Sequence, residues 1–143
     1  MAGLQYSSQN ITLVFGGKLI TGWADGDFVR VSYRSNYWEQ TVGTDGVSTR
    51  HNTRDKSGEI EITLMASSPS NDYLSACLLA DQQSNTGVLP FLLRDAGGNT
   101  LVTAEEAWVV KAPDVTFSRA VSTRVWQLAA SSMDCVVAGA VRI

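Results

Sequence analysis

The 143 residues hold one histidine, two cysteines and three prolines. Each scarcity excludes something. His51 alone cannot supply a histidine-rich metal site, and as a catalytic base it would stand in a polar stretch near arginines with nothing to hold it. Cys77 and Cys135 lie among apolar residues, as buried free thiols do. With one histidine they fall short of a four-ligand metal set. No apolar run approaches the ~20 residues of a membrane-spanning helix. The opening MAGLQYSSQN has no basic stretch leading into an apolar core, so no signal peptide is expected. Charge is thin as well. Charged residues make up 17% of the chain, below the roughly 25% of an average soluble domain. The net charge of −3 provides no global basic field to grip nucleic acid. Gly16-Gly17 and Gly97-Gly98 match neither a phosphate loop nor a dinucleotide fingerprint and are expected as turns. Glu105 and Glu106, adjacent on an expected strand, should point to opposite faces and so form no carboxylate pair. No enzymatic activity, cofactor or metal is expected.

What is present is a run of short strands in a chain of single-domain length. ITLVF (11–15), KLITGW (18–23) and NYWEQTV (36–42) are expected as strands. DFVRVSYRS (27–35) alternates Val29, Val31 and Tyr33 against Arg30, Ser32 and Arg34, and EIEITLM (59–65) alternates Ile60, Ile62 and Leu64 against Glu59, Glu61 and Thr63. Later strands are expected in VLPFLLR (88–94), TLVTAEEAWVV (100–110), TRVWQLAA (123–130) and MDCVVAGAV (133–141). Pro90 marks an edge or a bulge.

Two segments break this pattern. Residues 43–58 (GTDGVSTRHNTRDKSG) are polar and lack sustained periodicity, so they are expected as one long loop, and a loop of that length usually has a function. The second is a helix over about 69–83. Pro69 suits a first helical position, with Ser68 as cap. Tyr73, Leu74, Cys77 and Leu78 then form one apolar stripe at i, i+3, i+4 spacing. The fold class expected is mainly β: a β-sandwich or half-open barrel of about eight strands with one flanking α-helix.

The stretches SSPSNDYLSA (67–76) after a long polar loop, APDVTFSRAVSTRVWQLAA (112–130) and CVVAGA (135–140) together resemble phage tail tube proteins, in particular small tube proteins of long contractile tails. The resemblance covers about residues 5–140. It implies hexameric rings stacked into a tube in the virion tail, assembled in the host cytoplasm. The implied partners are the sheath, the baseplate or initiator and the tape-measure protein, with DNA passing through the lumen without specific binding. It also implies a loop reaching the neighbouring ring, for which Asp45, Arg50, His51, Arg54, Asp55 and Lys56 are the candidates, and an N-terminal arm over 1–9. Glu59, Glu61 and Thr63 become candidates to line the lumen, and the helix becomes a lid on the open side of the sandwich. A type VI secretion tube subunit shares the fold and stays open. So does a monomeric carbohydrate-binding β-sandwich using some of Trp23, Trp38, Trp108 and Trp126 as sugar platforms.

Overall fold

A computed structural model describes residues 10–139, and the arm expected at 1–9 lies outside them. The strands are β1 (Ile11–Phe15), β2 (Lys18–Leu19), β3 (Val29–Tyr33), β4 (Trp38–Val42), β5 (Ser48–Asn52), β6 (Gly58–Met65), β7 (Leu89–Asp95), β8 (Leu101–Lys111), β9 (Thr123–Ala130) and β10 (Met133–Val136). The helix α1 runs Ser70–Ser84, between β6 and β7.

Eight strands form one antiparallel sheet in the order β2-β1-β7-β8-β9-β6-β3, and β10 also pairs with β8. β9 and β10 lie along the same side of β8, Ala130 facing Ala107 and Met133 facing Ala104. The sheet curls on itself. The Tyr33 hydroxyl, on the terminal strand β3, donates to the Met133 carbonyl at 2.9 Å. Burial pushes that phenol up to about 12, so it stays a neutral donor. A second closure comes from the chain after β2. Only Lys18–Leu19 of the expected 18–23 strand pairs with β1. Ala24 and Met65 then exchange backbone bonds with the end of β6 and with Gly22, Ala24 N–H to Thr63 at 3.1 Å and Met65 N–H to Gly22 at 2.8 Å. The result is the half-open barrel.

Alternation places the core. On β6, Ile60, Ile62 and Leu64 are buried, and their neighbours Leu128 and Trp126 on β9 are buried with them. Leu13, Phe15, Phe91 and Met133 extend the cluster across the sheet. Gly58, at the start of β6, has a specific reason to lack a side chain. A Cβ there would collide with the Met133 thioether end and lie 3.0 Å from the Ser32 carbonyl.

The helix closes over this core. Leu74 is fully buried and Cys77 nearly so, while Tyr73 and Leu78 pack against the cluster from its margin. Its start is tied down by short polar contacts. Pro69 carries helical φ/ψ of −67° and −17°, and the Ser68 Oγ accepts from the Ser70 amide at 3.2 Å. Ser68 also donates to the Thr21 carbonyl at 2.5 Å. The Trp126 indole N–H donates to Asn71 at 2.9 Å, and the Tyr73 hydroxyl donates to the Phe15 carbonyl at 2.9 Å. The far end is closed by Asn85 in the left-handed region, φ 55°, whose amide donates to the Asp81 carbonyl.

One expectation is corrected. Residues 43–58 are not one loop, because Ser48–Asn52 is strand β5, paired with β4 in a separate two-stranded sheet. The periodicity that would have marked it is missing because the hairpin buries neither face: β4 and β5 are exposed almost throughout. Glu105 and Glu106 are both exposed. Pro90 on β7 has no N–H for the ladder, and between Leu89 and Phe91 the register of β8 slips, so that Ala107 and Ala104 face them. The extra residue of that bulge falls on β8 at Glu105-Glu106, between the buried Ala104 and Ala107.

Candidate functional site and assembly surfaces

The hairpin β4–β5 is built almost wholly from polar residues and one exposed tryptophan. Its turn is stabilised by Asp45, whose carboxylate accepts from the Val47 amide at 3.0 Å, with Gly46 at φ 83°. On one face the Arg50 guanidinium lies 3.7 Å from the centre of the Trp38 ring. His51 and Glu39, directly opposite in register, approach to 3.5 Å. Trp38 keeps 45% of its surface exposed, and Val42 and Val47 near the tip keep still more.

The base of the hairpin is a knot of short contacts. Asp55 accepts from Ser35 Oγ at 2.6 Å and from the Ser57 amide and hydroxyl. These bonds, with Arg34 nearby, hold its carboxyl down at about 2. Arg54 sits at φ 55°, the bend between β5 and β6. Lys56 pairs with Asp134, which raises the lysine pKa. The six residues expected on one inter-ring loop therefore divide. Asp45, Arg50 and His51 ride on the projecting hairpin, whereas Arg54 makes the bend at its base and Asp55 and Lys56 carry the contacts there.

Glu59, Glu61 and Thr63 share the face of β6 that points away from the core. They are not alone there. Ser32 and Arg30 on β3 stand opposite Glu59 and Glu61, and Gln127 stands opposite Glu61 on β9. Arg34 Nε lies 3.4 Å from Glu59 Oε1. This sheet face thus carries two carboxylates and two guanidinium groups.

The connection 112–122, between β8 and β9, was not marked as functional from the sequence. It forms no strand, yet Val115, Phe117 and Val121 are exposed, Phe117 at 87%. The signal was present: Val115 and Phe117 alternate with Thr116 and Ser118, but no strand among the described residues covers them. Among the described residues no group of three or more His, Cys, Asp or Glu side chains is placed to hold a metal. No helix among them is long and apolar enough to cross a membrane.

These surfaces suit contact with other protein, and the comparisons agree with a tail protein. The structural protein ORF10 of Pseudomonas phage KPP10 is 26% identical over 129 residues, 85% of this chain and 75% of that protein. Two solved structures share the fold with a TM-score of 0.65. One is the tube-terminating cap of the anti-feeding prophage, 9% identical, with 96% of this chain and 95% of that one covered. The other is the sheath/tube terminator of the extracellular contractile injection system PVC in its extended state, 12% identical, with 96% and 100% covered. The profile of the bacteriophage PhiTE tail tube proteins matches residues 6–138. The chain therefore belongs to the bacteriophage PhiTE tail tube protein family.

Proposed function

We propose that this chain is the building unit of a contractile phage tail tube: six copies close a ring, rings stack, and DNA leaves the virion through the lumen. The observation that carries this reading is the β4–β5 hairpin. An isolated two-stranded hairpin is marginal in water, and this one has both faces exposed. Such an arm is stabilised when a neighbour covers it. The inter-ring role expected of residues 43–58 passes to the hairpin as a whole, Trp38–Asn52, with Arg54, Asp55 and Lys56 setting its angle.

Ring closure has a physical motive. Among the described residues β3 ends the main sheet with an unpaired edge, which pairing between subunits removes. Glu59, Glu61 and Thr63 are proposed to face the lumen. Their carboxylates, together with Arg30 and Arg34, make that wall close to neutral, so passing phosphates find few free cations and release few counterions. The sheath, the baseplate or initiator and the tape-measure protein are the partners of this role, with assembly in the host cytoplasm before incorporation into the virion tail.

The test is sedimentation of the purified chain beside a variant in which Trp38–Asn52 is replaced by a short Gly-Ser link. The full chain should form long, fast particles and the variant should stop at single rings or subunits. Equal particles from both would remove the hairpin from stacking.

A further inference from the structure

An apolar cleft of about 520 Å³ opens between β3 and the strands β1, β7, β8 and β10. Phe28, Val31, Leu93, Val102 and Cys135 line it, and the exposed Asp27 adds a carboxylate, whereas Asp95 is buried and accepts from the Gly97 amide at 3.0 Å. Its volume is within the range of sites that receive a large side chain or small ligand. The same subunit carries an unmatched projection. Phe117 stands 87% exposed at the loop 112–122, and Arg119, two residues on, makes no ion pair among the described residues.

We infer that Phe117 of one copy inserts into this cleft of the next, with Arg119 set against Asp27. An aromatic projection fits an apolar cleft, and a cation without an ion pair among the described residues fits the exposed carboxylate at its rim. The occupant is a second copy because the subunit cannot fill its own cleft with this loop. β9 and β10 follow one another along β8, so Thr123 at the start of β9 and Cys135 on β10 stand roughly 40 Å apart at ~3.3 Å per residue. Ser118 is five residues from Thr123, a reach of at most ~18 Å. The loop is also held at its own end of β8. The Ser122 Oγ donates to the Thr116 carbonyl at 3.3 Å, and the Arg124 guanidinium lies 5.9 Å from the centre of the Phe117 ring. One projection and one cleft per copy make a head-to-tail contact, the kind that propagates and closes into rings. The proposal rests on the self-assembly reading above and names a contact within it.

Cys135 in the cleft provides the test. Ser118→Cys adds a third thiol, beside Phe117 on an exposed loop, where it leaves the core untouched. After mild oxidation of the concentrated protein, a non-reducing gel should show a ladder continuing past the dimer and collapsing under reductant. Adding Cys135→Ser should cut it to dimers at most, and adding Phe117→Ala should abolish it. Asp27→Arg should weaken the ladder, and Arg119→Asp in the same chain should restore it. Monomer alone after oxidation, as when the chain's own residues 1–9 or 140–143 fill the cleft, overturns the proposal. So does a ladder that persists beyond the dimer without Cys135. Rings from the unmodified protein with no ladder would leave the ring reading standing and remove this contact. A ladder from protein that makes no rings would do the reverse.

Discussion

At the scale of single residues, close packing decides more than charge. Gly58 has no turn to make; it is glycine because Met133 and the Ser32 carbonyl occupy the space where a Cβ would stand. Gly58→Ala should therefore destabilise the subunit by about 1–3 kcal/mol in urea unfolding, the usual cost of overpacking. Leu74, fully buried under the sheet, should cost about 2–5 kcal/mol as Leu74→Ala. An unchanged midpoint would mean that the helix is no lid. The Leu74 and Cys77 stripe was legible in the sequence from its spacing, whereas Gly58 was not, because the residue that excludes a side chain there is 75 positions away. Asp55 gives a pH dependence with a definite sign. Its carboxyl is held at about 2 against an ordinary 3.8. The contribution is present above 3.8 and is lost as the pH falls towards 2. Trp38 fluorescence should report a loosened hairpin in that window, and Asp55→Asn should show the loosened signal already at neutral pH.

At the scale of elements, the strands that bury one face were legible and the ones that bury none were not. β6 and β3 announce themselves by alternation because the core accepts every second residue. β5 has the sequence STRHN with no apolar member, so its pairing with β4 rests on backbone bonds, the Trp38–Arg50 stack and the Asp45-Gly46 turn. That balance predicts that the hairpin amides exchange hydrogen rapidly in the free subunit and become protected on assembly. Protection that is equal in both states would contradict an arm completed by a neighbour. The face of β6 was legible as two glutamates and a threonine, but its arginine partners depend on strand pairing. Arg30 meets Glu61 only because β3 lies antiparallel at that register. Replacing both carboxylates, Glu59→Gln with Glu61→Gln, removes the Arg34 ion pair and leaves Arg30 and Arg34 as the uncompensated charges of this face. The assembled variant should then retain DNA at low salt and release it as salt rises. No retention by the variant would take this face out of the lumen.

At the scale of the whole molecule, the mainly β architecture with one helix followed from the order of periodic segments. The curl of the sheet did not, since it depends on long-range bonds such as Tyr33 to Met133 and Gly22 to Met65. Among the described residues an edge strand, an unpacked hairpin and an apolar loop stay uncovered, all of which a ring of copies can cover. The direct measurement is electron microscopy of the concentrated, purified chain. Hollow tubes of uniform width with a repeat of one ring are expected, the hairpins bridging successive rings. Monomers alone, or particles without a lumen, would contradict the tube reading.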